Sequence, residues 1–364
     1  MKHASEVRFQ HVMGIDISDR EAVFVKLNLA RKVVAEGKVS MTREAIRKEF
    51  ERQAVLKIIV ETGTHSSWLV RLLRELGHEV VLADAWRLPL ISKGSKKTDR
   101  SDAELLARLG LADDELLSPV HVRSEQTLRD RVALMARDGL VRTRTKLITM
   151  VRGLIKPFGE RIPACSTEAF ASTAIEALPA ELKPVLHPTL EMIAQLTQQI
   201  RKQEQEIVKI SRARYPAAKR LQQISGVGPI TSLAFVLTIE DPSRFKKSRD
   251  VASYLGLTPR AFLSGDSNPQ LGITKVGDGT TRRLLVNSAQ YVLGHFGPDC
   301  DLKRFGEAIY ARGGDNAKKR AVVAVARKLA VLMHRLWASC DKYDPDRRQK
   351  QIQTQSCSGM QEAV

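Results

Sequence analysis

Three apolar runs, at 12–18, 22–29 and 33–40, are joined by short polar turns at Asp19-Arg20 and Ala30-Arg31-Lys32, with no more than three residues between runs. Connections that short can only turn the chain back on itself, which commits the three runs to an antiparallel meander. The pattern then changes. Thr42 can cap a helix reaching to about 54, and the apolar run at 55–61 reads as a fourth strand. A second helix at 66–76 and a fifth strand at 79–84 follow. Side chains alternate along a strand, so Gly14, Asp16 and Ser18 share one face of the first run while Ile15 and Ile17 take the other. An acid on the middle strand of a sheet needs a partner or an ion.

Three antiparallel strands followed by alternating helix and strand match the ribonuclease H order. The expected class is therefore α/β plus α. A RuvC/ribonuclease H-like domain is expected at 10–122, a coiled-coil stalk with a linker at 123–215, a helical domain at 216–343 and a disordered tail at 344–364. In the stalk, Leu128, Val132, Leu134, Met135, Leu140, Val141, Leu147, Ile148, Val151 and Leu154 recur at helical spacing until Pro157-Phe158-Gly159 stops the helix. Leu190, Ile193, Leu196, Ile200, Ile207 and Ile210 mark a second long helix. Two such helices around a linker either space two domains or dimerise. Glycine, proline and charged residues crowd between 256 and 279, where a loop is expected to interrupt the helices of the last domain.

With 364 residues the chain can bury a sizeable core, and its formal net charge of +18 repels basic partners and concentrates anionic ones, phosphate polymers above all. Cys165, Cys300, Cys340 and Cys357 show no paired spacing, which argues against a zinc site or a disulfide framework. The first residues carry no apolar signal core, and no stretch approaches a membrane span. A soluble protein of the bacterial cytoplasm, associated with the chromosome and making no membrane contact, is the expectation.

Four carboxylates stand out against that basic background. Asp16 interrupts the first strand, and Glu61 ends the fourth just before Thr62-Gly63, at the carboxyl end where sites in such sheets lie. Asp99 and Asp102, in Lys97-Thr98-Asp99-Arg100-Ser101-Asp102-Ala103, are three apart and so share a helix face. That pair also reads as a helix start, with Asp99 at the cap and Asp102 in the first turn. Hard ions such as magnesium take a few carboxylates plus waters and substrate oxygens, and four acids can hold two ions around a phosphodiester. The expected cofactor is Mg2+, bound where the four acids converge at the carboxyl side of the sheet.

The same segments carry a resemblance. Val12-Met13-Gly14-Ile15-Asp16, Glu61-Thr62 and the Asp99 segment are similar to the four-acid signature of the bacterial insertion sequence 110 family of transposases. Ile224-Ser225-Gly226-Val227-Gly228-Pro229-Ile230-Thr231, Asp241-Pro242-Ser243-Arg244-Phe245, Tyr254-Leu255-Gly256-Leu257-Thr258-Pro259 and Gly272-Ile273-Thr274-Lys275-Val276-Gly277-Asp278 resemble the family's second domain. The resemblance runs in one order from about 10 to 340 and implies a transposase or site-specific recombinase that exchanges DNA strands. It assigns Asp16, Glu61, Asp99 and Asp102 to metal and catalysis. It also implies a covalent phosphoserine intermediate on the serine before a glycine after Leu-Thr-Pro, here Ser264, with Ser267 as a rival. Many relatives carry two serines and two glycines there, whereas Leu263 and Asp266 flank the pair in this chain. The partners implied are donor and target DNA, a noncoding bridge RNA and a homo-oligomer, dimer or tetramer.

Gly226 and Gly228 resemble a helix-hairpin-helix turn, in which glycines let backbone amides approach a phosphate, although a tight interhelical turn reads the same way. Lys275, Arg282, Arg283, Lys318, Lys319 and Arg320 are candidates for the phosphate-binding surface, for which a solvated helix face is the plainer alternative. His65, close behind Glu61, reads as a structural residue at the rim of the acids. A DNA invertase of the Piv type shares these motifs. A RuvC-like junction nuclease would need the acids but not Ser264, and a nucleic-acid-binding scaffold would need neither.

Overall fold

The computed structural model describes residues 9–84, 98–260 and 271–347. The chain divides into two compact units, 1–125 and 126–364.

The first unit is a five-stranded mixed sheet followed by helices, consistent with a ribonuclease H-like start. Its strands β1 (His11–Ile17), β2 (Glu21–Asn28), β3 (Val33–Ser40), β4 (Lys57–Glu61) and β5 (Glu79–Ala83) lie in the order β3-β2-β1-β4-β5. The short turns force β1, β2 and β3 antiparallel as expected, while β4 and β5 return parallel through helices α1 (Arg43–Phe50) and α2 (Ser66–Glu75). Those helices cover the face that carries Met13, Ile15, Ile58 and Val60, where Phe50, Leu69 and Leu73 complete the core. The fourth strand starts at Lys57 rather than 55. Val55 is exposed, and the Leu56 N–H turns to the ring of His78 instead of a strand neighbour.

Among the described residues one helix, α3 (Asp99–Ala112), covers the opposite face. Two glycines bring it onto the sheet. A Cβ on Gly14 would stand 2.6 Å from the backbone nitrogen of Ala107, and one on Gly110 would stand 2.5 Å from Ile59. The carboxyl end of α3 therefore lies over the start of β1 and β4, while its amino end lies over their finish.

In the second unit, α4 (Glu125–Leu154) and α6 (Lys183–Arg214) run antiparallel side by side, linked by α5 (Phe170–Ala177). Their pairing is fixed by Asp130 with Arg214, Arg137 with Glu204 and Arg144 with Thr197. The buried positions of α6, Leu186, Leu190, Ile193, Thr197, Ile200, Ile207 and Ser211, step by threes and fours except for one interval of seven between Ile200 and Ile207. Thr197 and Ser211 take places that the apolar pattern gives to Leu196 and Ile210. On α4, Asp130, Asp138 and Arg144 are buried, whereas Val132 and Met135 are more than half exposed and Leu154 is half exposed. Each of the buried ions has a partner from distant sequence, so the seam accepts them.

The rest of the unit is helical: α7 (Pro216–Leu221), α8 (Pro229–Ile239), α9 (Ser248–Tyr254), α10 (Gly279–Leu293), α11 (Asp301–Tyr310) and α12 (Ala317–Ser339). They surround one core of Phe235, Leu285, Val325, Leu329 and Met333. Residues 126–215 and 216–343 fall in the same compact unit. The tail expected to be disordered from 344 remains docked through 347. There the Pro345 carbonyl accepts from the Asp301 N–H and Asp346 pairs with Arg304. Residues 348–364 lie outside the described residues. Cys165, Cys300 and Cys340 are free thiols. Among the described residues no helix is long and apolar enough to cross a membrane.

Candidate active site

β1 and β4 pair in parallel from Val12 opposite Lys57 through Ile15 opposite Val60. The next step of that register sets Asp16 beside Glu61, both half-buried at the carboxyl ends of central strands. Alternation turns both side chains to the face of Gly14 and Ile59, which is the face α3 covers. Because α3 runs against β1, its first turn lies over these strand ends, and that turn carries Asp99 and Asp102. Asp102 is buried at 7% exposure, while Asp99 is exposed.

The cap of α3 is Thr98 rather than Asp99. Thr98 Oγ1 accepts from the Ser101 N–H, and Ser101 Oγ accepts from the Thr98 N–H, closing a reciprocal box. Asp99 and Asp102 sit in the first turn, where the helix dipole favours negative charge. Arg100 reaches the other way, bonding Glu36 of β3 at 2.7 Å and Glu104 at 3.1 Å, which anchors the start of the helix to the edge of the sheet.

The donors at this end are carboxylate oxygens, hard ligands that suit magnesium or manganese rather than zinc. Among the described residues no three His, Cys, Asp or Glu side chains are gathered closely enough to hold a metal ion. The fit lies in the kind of ligand and in its placement, on three elements that share one end of the sheet.

Asp84 was not singled out from the sequence, although a polar residue ending the apolar run at 79–83 was the available signal. It follows β5 directly, and β5 pairs Ala83 with Glu61. His65 is engaged at the rim. The Trp68 indole donates to its Nδ1, which leaves Nε2 to donate to Asp19 at 3.1 Å. Ser264 and Ser267 lie outside the described residues.

In the second unit, Gly226 has φ +83°, and a Cβ there would stand 3.0 Å from both the Ser288 carbonyl oxygen and Tyr291. Gly228 is the N-cap of α8, and a Cβ on it would meet nothing within 4 Å. Gly226 and Gly228 thus lie between α7 and α8, where a helix-hairpin-helix turn and a tight interhelical turn have the same form. Lys275 is exposed, with φ +59°. Arg282 spends its guanidinium on the carbonyls of Leu255 and Val276, and Arg283 pairs with Asp138. Lys318 and Lys319 are exposed in the first turn of α12, where the dipole disfavours cations. Arg320 donates to the Gly313 carbonyl.

A cleft of about 440 Å³ opens beside α10, lined by Arg131, Asp138, Arg142, Asp278 and Arg283 among others. Burial by itself would raise the Asp278 carboxyl. The Thr281 N–H and the Arg131 guanidinium outweigh it and hold that group below the ordinary aspartate value.

A family model described as a transposase matches residues 13–158, and a second, described as the transposase IS116/IS110/IS902 family, matches 218–303. A Sinorhizobium fredii protein bearing a transposase name is 30% identical over 91% of this chain and 85% of its own length. The chain belongs to the IS110/IS116/IS902 family of transposases. The transposase for insertion sequence element IS1111A of Coxiella burnetii is 29% identical, with 83% of each chain covered. The pilin gene-inverting protein of Moraxella bovis is a more distant relative of this transposase, at 25% identity over 88% of this chain and 94% of its own. The first matched region contains all four acids, and the second contains the Gly226 turn, the Ser264 segment and Arg282 and Arg283.

Proposed function

We propose that this transposase cuts and exchanges DNA strands with Asp16, Glu61, Asp99 and Asp102 as ligands of magnesium and Ser264 as the nucleophile that joins protein to DNA. The observation that carries the reading is the meeting of the Asp16 and Glu61 strand ends with the first turn of α3, which bears Asp99 and Asp102. When bound, magnesium supplies Lewis acidity toward phosphate oxygens. The carboxylates hold that charge at one end of the sheet, and the net charge of +18 draws the DNA backbone to the protein.

At Ser264 the reaction forms an Oγ–phosphorus bond as the bond to the leaving sugar oxygen breaks. The serine gives up its proton and the departing hydroxyl gains one. The phosphodiester is conserved in the protein link, so a second sugar hydroxyl can reverse the step on a new strand. A bridge RNA choosing donor and target is the further part of this reading, and a second polyanion is compatible with the charge. The antiparallel pair of α4 and α6 is proposed as the coiled-coil stalk of a dimer or tetramer.

Asp16→Asn and Asp102→Asn test the acids, each leaving the shape of the side chain but weakening the ion site. Strand cleavage in magnesium is expected to fall below detection while DNA affinity stays within about twofold, because the basic surface is untouched. Equal loss of cleavage and affinity would assign the acids to folding instead. The relationship to the pilin gene-inverting proteins supports one second reading, a site-specific invertase, which would recombine inverted sites on one DNA molecule.

A further inference from the structure

Among the described residues Phe296 is the most exposed large apolar side chain, at 83%, and Tyr291, five residues earlier in the last turn of α10, is 48% exposed. His295 is exposed between them in sequence, with its ring centroid 5.3 Å from that of Phe296. Single exposed apolar side chains are ordinary on protein surfaces. Here the His295 and Phe296 rings share the turn that directly follows α10, Tyr291 lies in the last turn of that helix, and the turn is fixed.

It leaves α10 through Gly294, whose N–H bonds the Tyr291 carbonyl, and closes with the Gly297 N–H on the Gly294 carbonyl. Lys303 clamps the Gly297 carbonyl at 2.8 Å. Gly297 lies so close to the end of α10 that a Cβ on it would stand 2.7 Å from the Tyr291 carbonyl oxygen. The backbone thus fixes the turn that carries the exposed His295 and Phe296 rings. Tyr291 also touches the hairpin turn, with its ring edge 3.0 Å from where a Cβ of Gly226 would be. An aromatic surface therefore adjoins a glycine turn of the kind that lets backbone amides approach a phosphate.

We propose that Tyr291, His295 and Phe296 form a shelf on which unpaired DNA bases stack, while the Gly226–Gly228 turn holds the adjoining backbone. The inference rests on the reading of this chain as an enzyme of DNA strand exchange, which requires strands to leave the duplex. Stacking suits that task because every base has a flat face, so the shelf holds opened DNA without choosing its sequence. The positive charge of the chain favours a polyanion over an apolar protein partner.

The test uses full-length protein carrying Asp16→Asn, so that binding is read without cutting. Its probes are a duplex with a central unpaired loop containing 2-aminopurine and the fully paired duplex of the same sequence. The parent should quench the 2-aminopurine fluorescence. Phe296→Ala should weaken loop-containing DNA about 5- to 50-fold while fully paired DNA changes less than about twofold. Phe296→Trp should keep the quench and the affinity. Phe296→Leu should behave as Ala does, because it keeps the apolar surface but not the flat face.

Equal loss on both DNAs, retention by Phe296→Leu or absence of any quench would overturn the proposal. Loss confined to an RNA loop of the same sequence would also overturn it, as would a change of oligomer size with DNA affinity unchanged. Because the readout is binding by a cleavage-blocked protein, failure of the shelf is distinct from failure of the acid and serine chemistry.

Discussion

The missing side chain of Gly14 lets the backbone of α3 at Ala103 come down onto β1. A Cβ there would fall well inside contact distance of the Ala103 carbonyl oxygen and 2.9 Å from the Leu106 Cβ. Gly14 is two residues before Asp16 on the same face, and Ala103 is the neighbour of Asp102. This approach over β1 is what sets Asp102 above the end of the strand.

Gly14→Ala is therefore expected to cost at least about 1–3 kcal/mol, because the clash is with backbone rather than a flexible side chain. It should also abolish metal-dependent cleavage by lifting Asp102 away from Asp16. Urea unfolding and a cleavage assay check the two effects. A variant with full stability and full cleavage would show that α3 need not sit so close.

Thr98→Ala removes the cap oxygen of α3 and is expected to cost about 0.5–2 kcal/mol. Cleavage should fall further than that stability loss suggests, since the first turn carries both Asp99 and Asp102. Thr98→Ser keeps an oxygen in place and should restore most of the rate. Equal behaviour of the alanine and serine variants in the cleavage assay would remove the cap from the argument.

Acid should weaken the second unit through two aspartates. Burial would raise the Asp130 carboxyl, but hydrogen bonds from the Tyr215 hydroxyl, Arg214 and Gln126 outweigh it and leave the group below its usual value. Asp278 is held low by Thr281 and Arg131 against the same burial cost. A folded pKa below the unfolded one gives stability that is complete above about pH 4 to 5 and is lost as pH falls through the folded value. Asp130→Asn and Asp278→Asn should each lower stability by about 1–3 kcal/mol at neutral pH and flatten the acid limb.

Tyr215 moves the opposite way. Burial and the bond to Asp130 raise it to about 12, so its contribution is present below its ordinary value and disappears as pH climbs through the folded one. Unfolding midpoints measured from about pH 2 to above about pH 12 would show both limbs. An acid limb unchanged by both asparagine variants would refute the assignment.

Ser264→Ala should leave the fold and DNA binding intact and eliminate protein covalently linked to DNA, because alanine has no oxygen to attack phosphorus. The check is denaturing electrophoresis after incubation with labelled donor DNA. If the adduct persists in that variant and disappears in Ser267→Ala, the other serine is the nucleophile.

The order of strands and helices was legible in the sequence because turns of two or three residues leave the chain no alternative, and alternation told which face Asp16 occupies. The interruption of one apolar run located Asp16, the end of another located Glu61, and the spacing of Asp99 and Asp102 located the helix start. Local period fixes which way a side chain points. It does not fix whether a charge there will be buried, because that depends on partners far along the chain.

On α4 the apolar count favoured Val132, Met135 and Leu154, yet tertiary structure buried Asp130, Asp138 and Arg144. Arg214, Arg283 and Thr197, each more than 50 residues away, compensate their desolvation. The same long-range pairing gives Arg282 two backbone carbonyls and Arg283 a carboxylate, where sequence showed only positive charge. The sequence by itself determined the sheet, its acid-bearing strand ends and the helical remainder. Only the tertiary structure decided that Gly14 admits α3 to those ends, because a steric allowance between residues 89 positions apart has no local signature.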